Sequence, residues 1–195
     1  MTGQEAVEQH PLGFFLPENT QLLMLGSFPP PQRRWSMNFY YPNIQNDMWR
    51  IMGLIFHEDK DYFLNTPKTF SEAKAKAFCE TEGIGIGDTA MAVVRLKENA
   101  SDNFLKVVKP IDPEKVLAEI PQCRAIVVTG QKAMDTLLGV LHDVEQPKVG
   151  SFVVMRILGR ELKLYRMPSS SRAYPRPLTE KANAYRAMFK DLGML

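Results

Sequence analysis

The chain is sparing with the residues that build metal centres. It has two cysteines, Cys79 and Cys123, and three histidines, His10, His57 and His142, all scattered through 195 residues. A zinc site or iron–sulfur cluster needs about four ligands at close spacing, so neither cofactor nor metal is expected. No apolar run reaches the roughly 18 residues of a membrane span. The opening "MTGQEAVEQHPLG" has neither the basic start nor the apolar stretch of a signal peptide, so a cytosolic protein is expected, with no membrane partner. Walker-type and dinucleotide-binding glycine loops are also missing. "GIGIGD" at 83–88 comes nearest and fits neither, which weakens a reading as an α/β enzyme acting on a free nucleotide.

What is present is ordinary in bulk and uneven in detail. Hydrophobic residues make up 45% and charged residues 24%, the range of a soluble globular protein. The length suits one domain, 1–195, expected to be monomeric. The net charge is only +2, yet from Lys148 onward ten Lys and Arg face three acids, a net +7, which leaves −5 on the 147 residues before. A basic final quarter can form a phosphate-facing surface, or simply a solvated charged face.

Short apolar runs punctuated by glycine predict strands at 22–27 ("LLMLGS"), 83–90 and 125–130 ("AIVVTG"). A hairpin or kink is expected around Gly159-Arg160, between "FVVMRIL" and "ELKLYRM". Helices are expected at about 45–56, 71–82, 113–120, 131–141 and 178–191, with N-terminal signals at Asp112-Pro113 and at Thr179 near Pro177. Apolar strands alternating with amphipathic helices give an α/β fold, with the sheet mainly parallel. Ligands of such folds bind beyond the carboxyl ends of the strands, so the loops 27–46, 88–104 and 167–177 are the candidates.

Two of these loops are unusual. "FYYPNIQNDMW" (39–49) is too polar for a core strand and too aromatic for a solvated loop. With Phe28 before it, its rings can wall a slot for a flat base, although Phe39 serves equally as core. Asn46 lies at a helix start, where it can cap the helix or position water, and Asp47 complements the helix dipole. "RMPSSSRAYPRP" (166–177) sets hydroxyls and arginines on a proline-framed turn, a pattern suited to phosphate oxygens or to plain capping.

In their order, "MLGSFPPP", "YYPNIQNDMW" and "MPSSSRAYP" resemble the motifs of the uracil-DNA glycosylase superfamily. The "YYxxxxNxxW" element is similar to that of the hypoxanthine-DNA glycosylases and mismatch-specific uracil glycosylases. The resemblance implies a three-layer α/β/α sandwich around a four-stranded, mainly parallel sheet. The implied activity is base excision from damaged duplex or single-stranded DNA, removing uracil or another deaminated base. It also implies a pocket shaped by Gly26, Ser27 and Phe28, with Tyr41 or Phe39 stacked on the flipped base. Asn46 would be the catalytic amide, with Asp47 as the rival catalyst. Ser169 would hold a phosphate, and Ser170, Ser171, Arg172 and Tyr174 would form the loop that enters the duplex. Two positions depart from the pattern: Ser27-Phe28-Pro29 stand where active relatives carry an aspartate, and Met167 where they carry histidine. A noncatalytic nucleic-acid-binding relative is the alternative.

Overall fold

The computed structural model describes residues 6–97 and 101–195. Residues 98–100, within the candidate loop 88–104, lie outside it. In chain order the strands are β1 (Val7–Gln9), β2 (Leu22–Gly26), β3 (Leu64–Thr66), β4 (Thr69–Phe70), β5 (Ile84–Asp88), β6 (Ala90–Arg95), β7 (Leu105–Pro110), β8 (Ala125–Thr129), β9 (Ser151–Ile157) and β10 (Arg160–Met167). The helices are α1 (Met48–Phe56), α2 (Glu72–Glu82), α3 (Pro113–Glu119), α4 (Gln131–Leu138) and α5 (Leu178–Asp191).

The central sheet has the order β5-β2-β8-β10-β9. Its first four strands are parallel, and β9 adds antiparallel to β10. The sheet is therefore five-stranded and mixed, not four-stranded. The fifth strand exists because Leu158 and Gly159, both at positive φ, turn the chain back tightly, the geometry that suits the twist of a two-residue hairpin.

Alternation along the strands builds two cores. Leu22 and Met24 of β2 face α1, α2 and α5, together with Trp49, Phe78, Tyr185 and Phe189. Leu23 and Leu25 face α3 and α4, with Leu117, Met134 and Leu137. Successive side chains of a strand point to opposite faces, so a strand covered on both sides is apolar throughout. All five residues of β2 and of β8 are buried.

The expected strand 83–90 is in fact two. β5 ends at Asp88, and β6 begins at Ala90 in a separate antiparallel sheet, β1-β6-β7. Gly83 caps α2, while Gly85 and Gly87 lie inside β5, where side chains press on the strand: a Cβ on Gly87 would sit 2.1 Å from the Phe14 ring, and one on Gly85 3.0 Å from Thr20. The loop expected at 88–104 is therefore largely the β6–β7 hairpin. Sequence patterning did not show it, since "LKVVKP" is mostly exposed or half-exposed and interrupted by lysines.

Helix ends follow local chemistry. Asp112 accepts from Lys115 N at 3.1 Å and Ser71 from Lys74 N at 3.3 Å, each satisfying an orphan donor of its helix. Thr179 caps nothing: Pro177 occupies the N-cap of α5 with no side-chain bond. No helix among the described residues is long and apolar enough to cross a membrane.

Trp49 lies at the junction of α1 with the loop before it. It is 1% exposed, its Nε1 donates to Tyr40 O at 3.0 Å, and its ring packs on Phe39 and Phe63. Trp49→Ala is expected to cost about 3–5 kcal/mol of stability, measured by urea unfolding.

Candidate active site

A cleft of about 960 Å³ opens beyond the carboxyl ends of β2, β5, β8 and β10. Its wall combines Gly26 to Pro30, Tyr41, Asn46, Asp88, Ser101 to Asn103, Thr129 to Lys132 and the 166–175 loop. All three candidate loops reach it. So does the start of α4, which sequence reading left out, although the strand–glycine–helix passage "VVTGQKAM" signals a loop at the same sheet edge.

The first loop and the last are joined as a short antiparallel pair. Asn46 and Ser171 form a β-bridge, Asp47 N donates to Ser170 O at 2.8 Å, and Arg172 N donates to Gln45 O at 3.3 Å. Beneath this ladder the buried Asp47 carboxylate gathers three cations. Arg172 donates to its Oδ1 from Nη2 at 3.1 Å and from Nε at 3.3 Å. Arg50 stands 3.7 Å away, and Lys181 Nζ, itself 1% exposed, is 3.9 Å from Oδ2. Burial pulls the Lys181 amine down, while Asp47 raises it and Arg172 lowers it. Lys181 also donates to Ser171 O at 2.7 Å, which fixes the turn from below.

This placement corrects three expectations. Asp47 does not line the cleft; its carboxylate is spent on cations, so it holds the site together and is not placed as a base. Arg172 turns inward to Asp47 and Gln45, with Nη1 3.2 Å from Gln45 Oε1, and so does not project from the loop expected to enter the duplex. Phe39 is core: it is 3% exposed and packs against Phe15, Tyr40 and Trp49.

The remaining candidates reach the cleft. Helix α1 begins at Met48 and not at 45, so Asn46 precedes it. Its Oδ1 accepts from Met48 N at 2.9 Å, an Asx turn. Its Nδ2 has no partner among the described residues, so the amide is oriented by the backbone and still holds its donors. Tyr41 adopts φ +53°, the left-handed region that costs a non-glycine residue about 1–3 kcal/mol. This conformation accompanies its turn away from the Phe39–Tyr40 core and toward the cleft. Its hydroxyl, pushed up by burial, lies 3.4 Å from Thr129 Oγ1. Phe28 is 6% exposed and meets His10 edge to face at 5.1 Å. Ser169, Ser171 and Tyr174 are half-buried on the rim, and Ser170 is buried beneath it.

Sequence reading missed two carboxyl groups here. Asp88 ends β5 beside Gly26 in register, and His10 Nε2 holds its Oδ2 at 2.7 Å. A Cβ on Gly26 would lie 2.6 Å from Asp88 Oδ1, so only glycine admits this approach. Asp102 accepts a hydrogen bond from Ser27 Oγ at 2.7 Å. Neither stands in a motif that marks it; the fold carries both to the cleft wall beside Gly26 and Ser27.

The basic final quarter is largely consumed internally. Arg156 pairs with Glu161 and Lys163 with Asp191, while Arg160 donates to the carbonyls of Leu117, Ile120 and Pro121. Among the described residues, four Lys and Arg line the cleft: Arg34, Lys132, Arg166 and Arg172.

Removing one partner of a buried charge cluster leaves the others uncompensated. Asp47→Ala is expected to lower stability by about 3–5 kcal/mol, and Asn46→Ala by only about 1 kcal/mol. Denaturant unfolding of the two variants side by side checks the order.

No family model matches the chain. A curated relative, the hypoxanthine DNA glycosylase of Methanosarcina acetivorans, is 28% identical over 175 residues, which span 90% of this chain and 94% of the relative. A solution NMR structure from Methanosarcina acetivorans, of a candidate uracil DNA glycosylase, superposes with a TM-score of 0.66 at 23% identity, covering 96% of this chain and 99% of that one. That likeness shows a shared fold. In its motifs, in sequence over nine-tenths of its length and in fold, the chain resembles the uracil-DNA glycosylase superfamily, on the branch of the hypoxanthine-DNA glycosylases.

Proposed function

We propose that this protein is a monofunctional DNA glycosylase that hydrolyses the N-glycosidic bond of a deaminated base turned out of the helix into the cleft. One observation carries the reading: the antiparallel pairing of residues 45–47 with 170–172 sets the oriented Asn46 amide and the serine-arginine turn on one rim. A pocket for a base and a grip for its phosphates are thereby fixed relative to each other. The curated relative's name supports hypoxanthine as the first base to test.

The chemistry follows from the residues. Extruding a nucleotide costs a few kcal/mol, least at a mismatched or damaged base. The rings of Phe28 and Tyr41 offer apolar faces to the base, with stacking worth about 1–3 kcal/mol. As the C1′–N bond lengthens, positive charge develops on the sugar and negative charge on the base. Asn46 positions the attacking water by hydrogen bonding; a neutral amide does not deprotonate it. Ser169 and Ser171, with Arg34, Lys132 and Arg166 of the cleft, hold the flanking phosphates and add their field.

Oligonucleotides carrying hypoxanthine, uracil, xanthine or a G·T mismatch, treated with alkali after incubation, test the activity. An abasic product from at least one, and no borohydride-trapped adduct at Lys132, is the expected result. Duplex binding without abasic product from any of them would leave a binding protein in place of an enzyme. Asn46→Ala is expected to slow single-turnover excision by about 10²-fold, equivalent to about 2.7 kcal/mol, with duplex binding nearly unchanged. A fully active Asn46→Ala protein would remove the amide from the mechanism. Duplex affinity is expected to fall with salt at a logarithmic slope of about −3, one phosphate for each of these three cations.

A further inference from the structure

The Ser27–Asp102 pair has no part in that mechanism, yet it sits on the cleft wall. Ser27 is 9% exposed at the end of β2, and Asp102 opens the 3-10 turn Asp102–Phe104 that leads into β7. Two strand ends therefore meet in a hydroxyl–carboxyl contact of 2.7 Å, next to a second carboxyl, Asp88. The serine settles which oxygen can carry a proton. Because Ser27 Oγ donates to Oδ2, a proton on this carboxyl belongs on Oδ1.

We propose that Asp102 is the general acid that protonates the departing base, which makes a purine lactam such as hypoxanthine the preferred substrate class. This rests on the glycosylase reading above. A purine has basic ring nitrogens that accept a proton as the glycosidic bond breaks, so it leaves neutral; uracil has no basic ring nitrogen and gains less. In the step, the C1′–N electron pair passes to the base and the Oδ1 proton to a ring nitrogen of that base. Water oxygen bonds to C1′, and the proton it releases returns through solvent to the carboxylate. The sum is one water consumed, one neutral base and one abasic sugar formed.

The surroundings suit an acid. Burial holds the Asp102 carboxyl above the ordinary carboxylate range; the Ser27 hydrogen bond opposes this and Asp88 adds to it. Lys132 of α4 and Arg95 of β6 also oppose it, more weakly. Arg95 is engaged by Glu8 at 3.1 Å and by Pro29 O at 3.1 Å, and lies over the Phe28 ring. Tyr41, another titratable neighbour, has its hydroxyl held neutral by burial, and the His10 imidazole holds the second carboxyl, Asp88, at 2.7 Å.

Single-turnover excision of hypoxanthine by the full chain, followed between about pH 5 and 9, tests the assignment. The wild-type rate is expected to fall as pH rises through the raised Asp102 range, because the acid form is lost. Asp102→Asn keeps the size of the side chain and an oxygen for Ser27 but carries no acid proton. It is expected to be about 10²–10⁴-fold slower, to lack that pH limb, to lose less on uracil, and to bind duplex as before. Wild-type rate in Asp102→Asn, or the same pH limb retained in it, overturns the proposal and leaves the glycosylase reading standing. Excision of no base by the wild type overturns both. Thermal melts provide the folding control. A carboxyl whose folded pKa is raised loses stability as pH rises through that value, so Asp102→Asn is expected to melt at or above the wild type in mild alkali. A lower melting point there would mark a structural role and would also defeat the assignment.

Discussion

The buried carboxylate of Asp47 is the contact on which the site depends. Isolated in a core it would be untenable; surrounded by Arg172, Arg50 and Lys181 it becomes the anchor of two loops that are 125 residues apart. The Lys181 ammonium comes from α5, Arg50 from α1 and Arg172 from the last loop, so one anion fixes three segments. The ladder between 45–47 and 170–172 is itself small, with backbone bonds of 2.8 Å from Asp47 N and 3.3 Å from Arg172 N. Without the charge cluster beneath, that ladder would be an exposed two-residue pairing of little stability.

Rigidity at Asn46 follows from the same arrangement. Its Oδ1 is held by Met48 N, and its backbone is bridged to Ser171, so the amide has little freedom left. Such preorganisation lets a weak catalyst contribute, because the cost of orienting water is met on folding rather than in the reaction. Tyr41 shows the converse. Its left-handed backbone is unfavourable by itself, and persists because Tyr40 on one side is buried and hydrogen-bonded to Gly13 O while Pro42 on the other is locked in the turn.

Charge counted along the chain and charge met by a ligand are different quantities here. From Lys148 onward the excess is seven positive charges, yet Arg156 closes the β9–β10 hairpin, Lys163 ties the sheet to α5 and Lys181 sits under the last loop. The field in the cleft comes as much from Arg34 and Lys132, which lie in the net-acidic part of the sequence.

Periodicity by itself determined the alternation of apolar strands and helices, the parallel core of the sheet and the edge where ligands would bind, because burial on both faces demands apolar runs whatever the rest of the fold. Local rules also fixed the Asp112 cap and the turn at Gly159, since these depend only on near neighbours. Several matters were decided by tertiary structure alone. Phe39 and Tyr41, two residues apart, part into core and cleft because Trp49 and Phe15 close on the first ring. Asp47 and Asn46, adjacent in sequence, become an ion-pair anchor and a cleft-facing amide, since the helix starts at Met48 and turns them to opposite sides. Asp88 and Asp102 sit in no recognisable motif, and only the pairing of β5 with β2 and the fold-back of the β6–β7 hairpin bring them to Gly26 and Ser27. A sequence shows which residue types are available; contacts between distant segments decide which of them share one cleft.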